Sequence, residues 1–187
     1  MKILQICHKV PFPPVDGGCI AMNNITQGLL QDGHQVKILA INTPKHFVRM
    51  EDLHESYKAS TSIEIVFVDT HVKISAALFN LFTNRSYNIE RFRSKALDDR
   101  LMKILLDDSF DVVQLESLFV TPYIETIRQF SNAKIVFRSH NMEYLIWERL
   151  AQREKNIRIS GLLTTDGFSP QSVDGNNSGP NADRSCV

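Results

Sequence analysis

Two adjacent glycines, Gly17 and Gly18, stand between an apolar segment and an amphipathic one, and they offer the first chemistry in the chain. Backbone N–H groups at such a pair can approach an anion closely, and a helix N-terminus adds a favourable dipole, so that chemistry would be phosphate binding. A plain tight turn is the alternative. The fingerprint Gly-x-Gly-x-x-Gly is absent and a Pro-containing loop precedes the helix, which argues against nicotinamide binding. His140 follows another apolar segment. A histidine there can donate to a carbonyl, hydroxyl or phosphate, or move a proton; equally, it can bond to loop backbone. His8 ends the first apolar segment and belongs to the same edge. Glu116 can accept hydrogen bonds from hydroxyl groups or act as a base. Its alternative is a solvated loop acid paired with Arg138 or Lys9.

These residues need elements to position them. Residues 2–8 read as an apolar strand, followed by a loop with Pro11, Pro13, Pro14 and the glycine pair, where no regular element fits. A helix is predicted from about Cys19 to Gln31, with Gly33 as its C-terminal cap. Gln35–Ile41 is a second strand, apolar enough for burial on both faces. A polar helix over Met50–Lys58, a strand over Ser62–Val68, a short helix over Lys73–Phe82 and a long amphipathic helix over Glu90–Asp108 follow. Asp111–Glu116 is a fourth strand, Leu118–Phe130 a helix, Lys134–Arg138 a fifth strand and Met142–Lys155 a last helix. This alternation predicts an α/β, Rossmann-like open parallel sheet with helices on both faces. Ligands of such sheets sit at the carboxyl ends of the strands. That edge would carry Pro11–Gly18, Glu116–Ser117 and Ser139-His140-Asn141.

Composition bounds the function. The chain has 187 residues, 43% apolar and 22% charged, with zero formal net charge, which suits a soluble globular protein and argues against a nucleic-acid partner. Cys7, Cys19 and Cys186 show no Cys-x-x-Cys spacing; Cys7 reads as a buried, reduced core residue. A reducing cytoplasm fits, with no signal peptide and no apolar run long enough to span a membrane. No carboxylate cluster has metal-ligand spacing. Arg85, Arg91, Arg93, Lys95, Arg100 and Lys103 read as a solvated helix face, with peripheral membrane contact as the alternative.

Residues 160–187 differ. Four of the eight glycines fall in the last 27 residues, among Ser, Asn, Asp and Thr, without a sustained helical or strand period. Such a segment buries too little apolar surface to offset its ordering entropy, so it reads as a disordered tail, and a non-native tail is one explanation.

Several of these stretches resemble the N-terminal, acceptor-side domain of bacterial retaining glycosyltransferases with the GT-B fold. They are Met1-Lys-Ile-Leu-Gln-Ile, Pro11-Phe-Pro-Pro-Val-Asp-Gly-Gly, Gly28-Leu-Leu-Gln-Asp-Gly-His34-Gln-Val36, Phe110-Asp-Val-Val-Gln-Leu-Glu116 and Arg138-Ser-His-Asn-Met-Glu-Tyr144. The resemblance covers about residues 1–158. It implies transfer of a sugar from a nucleotide-sugar, a substrate rather than a cofactor, to a glycan or lipid-linked acceptor at the inner face of the cytoplasmic membrane. It assigns the donor diphosphate to Gly17 and Gly18, the transferred sugar to His140, and the acceptor to Glu116, His8 and Asn141, with no metal. The family's second, donor-binding domain and its Glu-x7-Glu pair are not found in this sequence, so negligible transfer by this chain alone is expected. A nucleotide-sugar epimerase half and a non-catalytic glycan-binding module are the competing readings.

Overall fold

Five parallel strands form one open sheet in the order β3-β2-β1-β4-β5 in the computed structural model, which describes residues 1–70 and 87–139. The strands are β1 (Lys2–Cys7), β2 (Gln35–Asn42), β3 (Glu64–Phe67), β4 (Val112–Glu116) and β5 (Lys134–Arg138). The helices are α1 (Gly17–Gln31), α2 (Glu55–Thr61), α3 (Tyr87–Glu90), α4 (Lys95–Asp107) and α5 (Ile124–Phe130). The α/β, Rossmann-like architecture expected from the alternation of segments is therefore present.

The central strands are apolar on both faces because helices cover both. Leu4, Ile6, Leu39, Ile41, Val113 and Leu115 pack with Leu97 and Leu101 of α4 and Ile127 of α5. The alternate residues Cys7, Val36, Ile38 and Ala40 pack with Met22 of α1 and Tyr57 of α2. Each fully buried Leu or Ile contributes about 1.5–3 kcal/mol, so the central strands are the chief source of stability. Edge strand β3 is short and tied by charge: Glu64 accepts from Lys37 at 2.8 Å and from Arg100 of α4.

Helix α1 begins at Gly17, two residues before the expected start, because Asp16 caps it: its carboxylate accepts from the Cys19 N–H at 2.9 Å. The helix ends as expected at Gly33, where φ is +77°. The N–H of His34 reaches the Leu29 carbonyl and that of Gly33 the Leu30 carbonyl, a left-handed cap that suits glycine.

Three expected helices are broken, each for a tertiary or covalent reason. The segment 50–58 is a 3-10 turn, Met50–Asp52, followed by α2, since buried Leu53 is extended and His54 caps a new start. Of the helix expected over 90–108, Lys95–Asp107 forms as α4, while Glu90 closes the short α3 and residues 91–94 leave the helix. Phe92 is turned inward between them, where its carbonyl accepts from the Tyr123 hydroxyl at 2.7 Å and the Ser94 N–H donates to that hydroxyl at 2.9 Å. The segment 118–130 starts as a 3-10 turn, Leu118–Tyr123, because Pro122 supplies no N–H, and only Ile124–Phe130 is α-helical. Strands expected over 62–68 and 111–116 are shorter by one or two residues at their ends. The helices expected over 73–82 and 142–155, and the tail 160–187, lie outside the described residues.

Candidate functional site

The chain leaves β1 toward β2 and β3 on one side, and later crosses to β4 and β5 on the other. The carboxyl ends of β1 and β4 thus flank the topological switch point, the place where open parallel sheets bind their ligands. His8 follows β1, and Glu116 is the last residue of β4. The two meet: His8 Nδ1 lies 2.9 Å from the Glu116 carbonyl oxygen. A carbonyl only accepts, so Nδ1 must carry the proton in this bond.

The Glu116 side chain faces inward. It is fully buried, and its Oε1 accepts from Gln5 Nε2 at 3.0 Å and from Gln114 Nε2, while Oε2 accepts from Arg138 Nη1 at 2.7 Å. The amide orientation of Gln5 follows from this, because its Nε2 must face the carboxylate; its Oε1 then accepts from the Thr26 hydroxyl at 2.6 Å. A polar chain, Thr26–Gln5–Glu116–Arg138, thus runs beneath the switch point from α1 to β5. Glu116 is paired with Arg138, as one sequence reading had it, but it is neither solvated nor in a loop. Lys9 pairs with Asp16 instead, with Nζ 2.7 Å from each carboxylate oxygen.

The next residue, Ser117, has φ +98° and ψ 156°. That region is essentially glycine's, and holding a serine there costs about 1–3 kcal/mol. Neighbouring structure imposes it: the Ser117 N–H bonds to the Arg138 carbonyl at 3.0 Å, and the Ser117 hydroxyl caps the following turn.

Gly17 and Gly18 occupy the first turn of α1, where N–H groups have no intrahelical acceptor. A Cβ on Gly17 would meet nothing, whereas one on Gly18 would meet Lys9 Nζ at 3.0 Å. Gly18 therefore makes room for the Lys9–Asp16 pair. The Lys9 hydrogen bond, and then the Cys19 N–H, hold the Asp16 carboxyl well below the usual carboxylate range. Burial, and then the charges of Lys9 and Lys45, push the His46 imidazole down. The loops after β1 and β2 are thus electrostatically coupled. Burial, foremost, pushes both the Cys7 and Cys19 thiols up, so each is a neutral, buried thiol.

The structure brings four of the six expected site residues to one edge: His8 and Glu116 in contact, Gly17 and Gly18 at the α1 terminus. His140 and Asn141 lie outside the described residues. The sequence reading missed Gln5 and Thr26, and it placed Asp16 and Ser117 on the edge, within Pro11–Gly18 and Glu116–Ser117, without giving either a role. An acid directly before a Gly-Gly helix start was a legible capping signal; nothing marked the Ser117 backbone. Among the described residues, no three His, Cys, Asp or Glu side chains gather as metal ligands, and no helix is long and apolar enough to cross a membrane. A crevice of about 1060 Å³ at the opposite, amino edge is lined by Asp108, Phe110, Arg128 and Lys134. It is remote from the glycine pair, on the edge where parallel sheets do not place their ligands. No protein-family model matches the chain, and no curated protein matches it.

Proposed function

We propose that this chain forms the acceptor-side, Rossmann-like half of a retaining GT-B glycosyltransferase, with its ligands at the carboxyl edge of the sheet. The observation that carries the reading is the pairing of a switch point between β1 and β4 with a glycine-initiated helix on the same edge. The Gly17 and Gly18 amides, left over in the first turn of α1 once Asp16 has capped the Cys19 N–H, suit a diphosphate, and the open space over Gly17 lets one approach. The acceptor, a glycan or lipid-linked saccharide, would lie along the loops after β1 and β4, beside His8. His140 and Asn141, next in the chain after β5, complete the assignment, and the full reaction moves a sugar from a nucleotide-sugar to that acceptor.

A non-catalytic saccharide-binding module is the second reading. The burial of Glu116 favours it, since that carboxylate serves the fold and is withdrawn from chemistry. The test is titration of the purified chain with a saccharide array and, separately, with nucleoside diphosphates, because an acceptor-side half is expected to transfer negligibly by itself. Binding of both a saccharide and a diphosphate, the latter weakened by Gly17→Val, supports the first reading. Saccharide binding without diphosphate binding supports the second, and no saccharide binding at all overturns both.

A further inference from the structure

Two phenylalanine rings meet water together at the carboxyl edge of the sheet. Phe47 is 58% exposed and Phe67 53%, and their centroids lie 6.2 Å apart with planes at 68°. Phe67 is the last residue of β3, and Phe47 belongs to the loop that leaves β2. Side-chain bonds on both sides of Phe47 fix that loop. The buried Asn42 amide grips the backbone of Val48: its Nδ2 donates to the Val48 carbonyl at 2.7 Å, and its Oδ1 accepts from the Val48 N–H at 3.0 Å. Val48 thereby packs on the cluster that holds Leu53 and Tyr57, while Phe47, with extended backbone at φ −71° and ψ 127°, keeps its ring in solvent. Before it, the Thr43 hydroxyl caps the turn Pro44–His46; after it, Arg49 donates twice to Asp52, at 3.0 and 2.9 Å.

From this geometry we infer that Phe47 and Phe67 form a stacking platform for the apolar face of a saccharide ring. The C–H bonds gathered on one face of a pyranose carry slight positive charge, and the face of an aromatic ring is negative. The two rings meet edge to face, so they do not cover each other as a stacked pair would. Together they expose roughly 200 Å², since an aromatic side chain carries about 150–250 Å². A stable protein partner needs about 800 Å² a side, whereas one sugar ring is matched by the smaller area. Charge disfavours an anionic lipid surface, which recruits clustered cations. In the loop 43–54, Lys45 and Arg49 are balanced by Glu51 and Asp52. His46, directly before Phe47, feels the charges of Lys9 and Asp16 at the start of α1, so the platform continues the edge that holds the glycine pair. A ring held out in advance loses little freedom on binding. The ligand class rests on the reading proposed above; the fixed, exposed ring pair does not.

The experiment uses the full chain with methyl glucoside, methyl galactoside and methyl mannoside as probes. Saturation-transfer NMR with irradiation of the aromatic protons reads which sugar protons lie on a ring, and titration of the phenylalanine ring resonances reads affinity. The expected result is transfer to the C–H protons on one face of a bound glycoside, with shifts at Phe47 and Phe67. Phe47→Leu keeps apolar bulk and removes the ring face, so it should weaken that glycoside about fivefold, the size of one aromatic contact. Phe47→Tyr should bind as the parent chain does. Phe47 is more than half exposed, so both variants should keep the parent's melting behaviour. Affinity that Phe47→Leu leaves undiminished overturns the inference while the saccharide reading stands. Silence of all three glycosides also overturns it, and the saccharide reading falls with it only if the wider saccharide array is silent too. Retention of the chain on vesicles of phosphatidylcholine and phosphatidylglycerol, lost in Phe47→Ser, would overturn it in favour of a lipid surface.

Discussion

Arg138 Nη1 donates to Glu116 Oε2 over 2.7 Å, and the two partners differ sharply in exposure: the glutamate side chain is 0% exposed and the arginine 30%. The acid is the buried anchor and the base its partly wet clamp. Removing the anchor leaves Arg138, Gln5 and Gln114 without their shared acceptor.

Glu116→Ala is therefore expected to destabilise the fold by about 3 kcal/mol, the lower end for breaking a buried pair, because water reaches Arg138. Glu116→Gln should cost less but still be harmful, since donors reach both carboxylate oxygens and an amide must turn its own NH2 toward one of them. Urea unfolding midpoints check both. Changes within about 0.5 kcal/mol would place Glu116 among ordinary surface acids.

Ser117→Gly should raise stability by roughly 1 kcal/mol. Relief of strain at φ +98° is worth about 1–3 kcal/mol, while the added freedom of glycine in the unfolded chain takes back about 0.4–1 kcal/mol and the lost hydroxyl cap roughly a few tenths more. Ser117→Ala keeps the strain and loses the hydroxyl cap, so it should not gain. Denaturant unfolding of the two variants side by side separates these effects.

Asp16 carries a pH signature. Its folded value is depressed, by Lys9 first and the Cys19 amide second, so its contribution is complete above the ordinary carboxylate value of about 3.9. That contribution is lost as pH falls below this value toward the folded one. Asp16→Asn keeps a capping oxygen and loses the charge. Because the acid is 37% exposed on its side chain, the difference should be modest at neutral pH, about 1 kcal/mol or less. Melts of both proteins in a pH series should converge in acid; a difference that grows in acid would contradict the assignment.

Tyr123→Phe tests the break between α3 and α4. The hydroxyl bridges the Phe92 carbonyl and the Ser94 N–H, and burial pushes its ionisation up to about 12. Losing it strands two backbone groups and should cost about 1–3 kcal/mol. Hydrogen exchange at the Ser94 amide should accelerate beyond the global change.

Much of the fold was legible in the chain itself. The apolar runs at Ile3–Cys7, Val36–Ile41 and Val112–Leu115 mark strands buried between helices, Ile135–Phe137 marks a further strand, and the segments between them carry the helical period, so an open parallel sheet follows from pattern alone. Gly33 announced its cap because only a left-handed turn demands glycine there. The edge holding Gly17, Gly18, His8 and Glu116 followed from the rule for parallel sheets.

What the chain alone could not settle depends on partners distant in sequence. The burial of Glu116 is decided largely by Gln5 of β1 and Arg138 of β5, on the two flanking strands, with Gln114 of its own strand completing the set. The helix expected over 90–108 has an unbroken period, yet the Tyr123 hydroxyl, 31 residues from Phe92, offers its backbone a better arrangement at the turn. The strain at Ser117 has no local signature either. A serine accepts a glycine's conformation only when the packing and strand pairing around it outweigh the cost, and that balance exists only in the folded sheet.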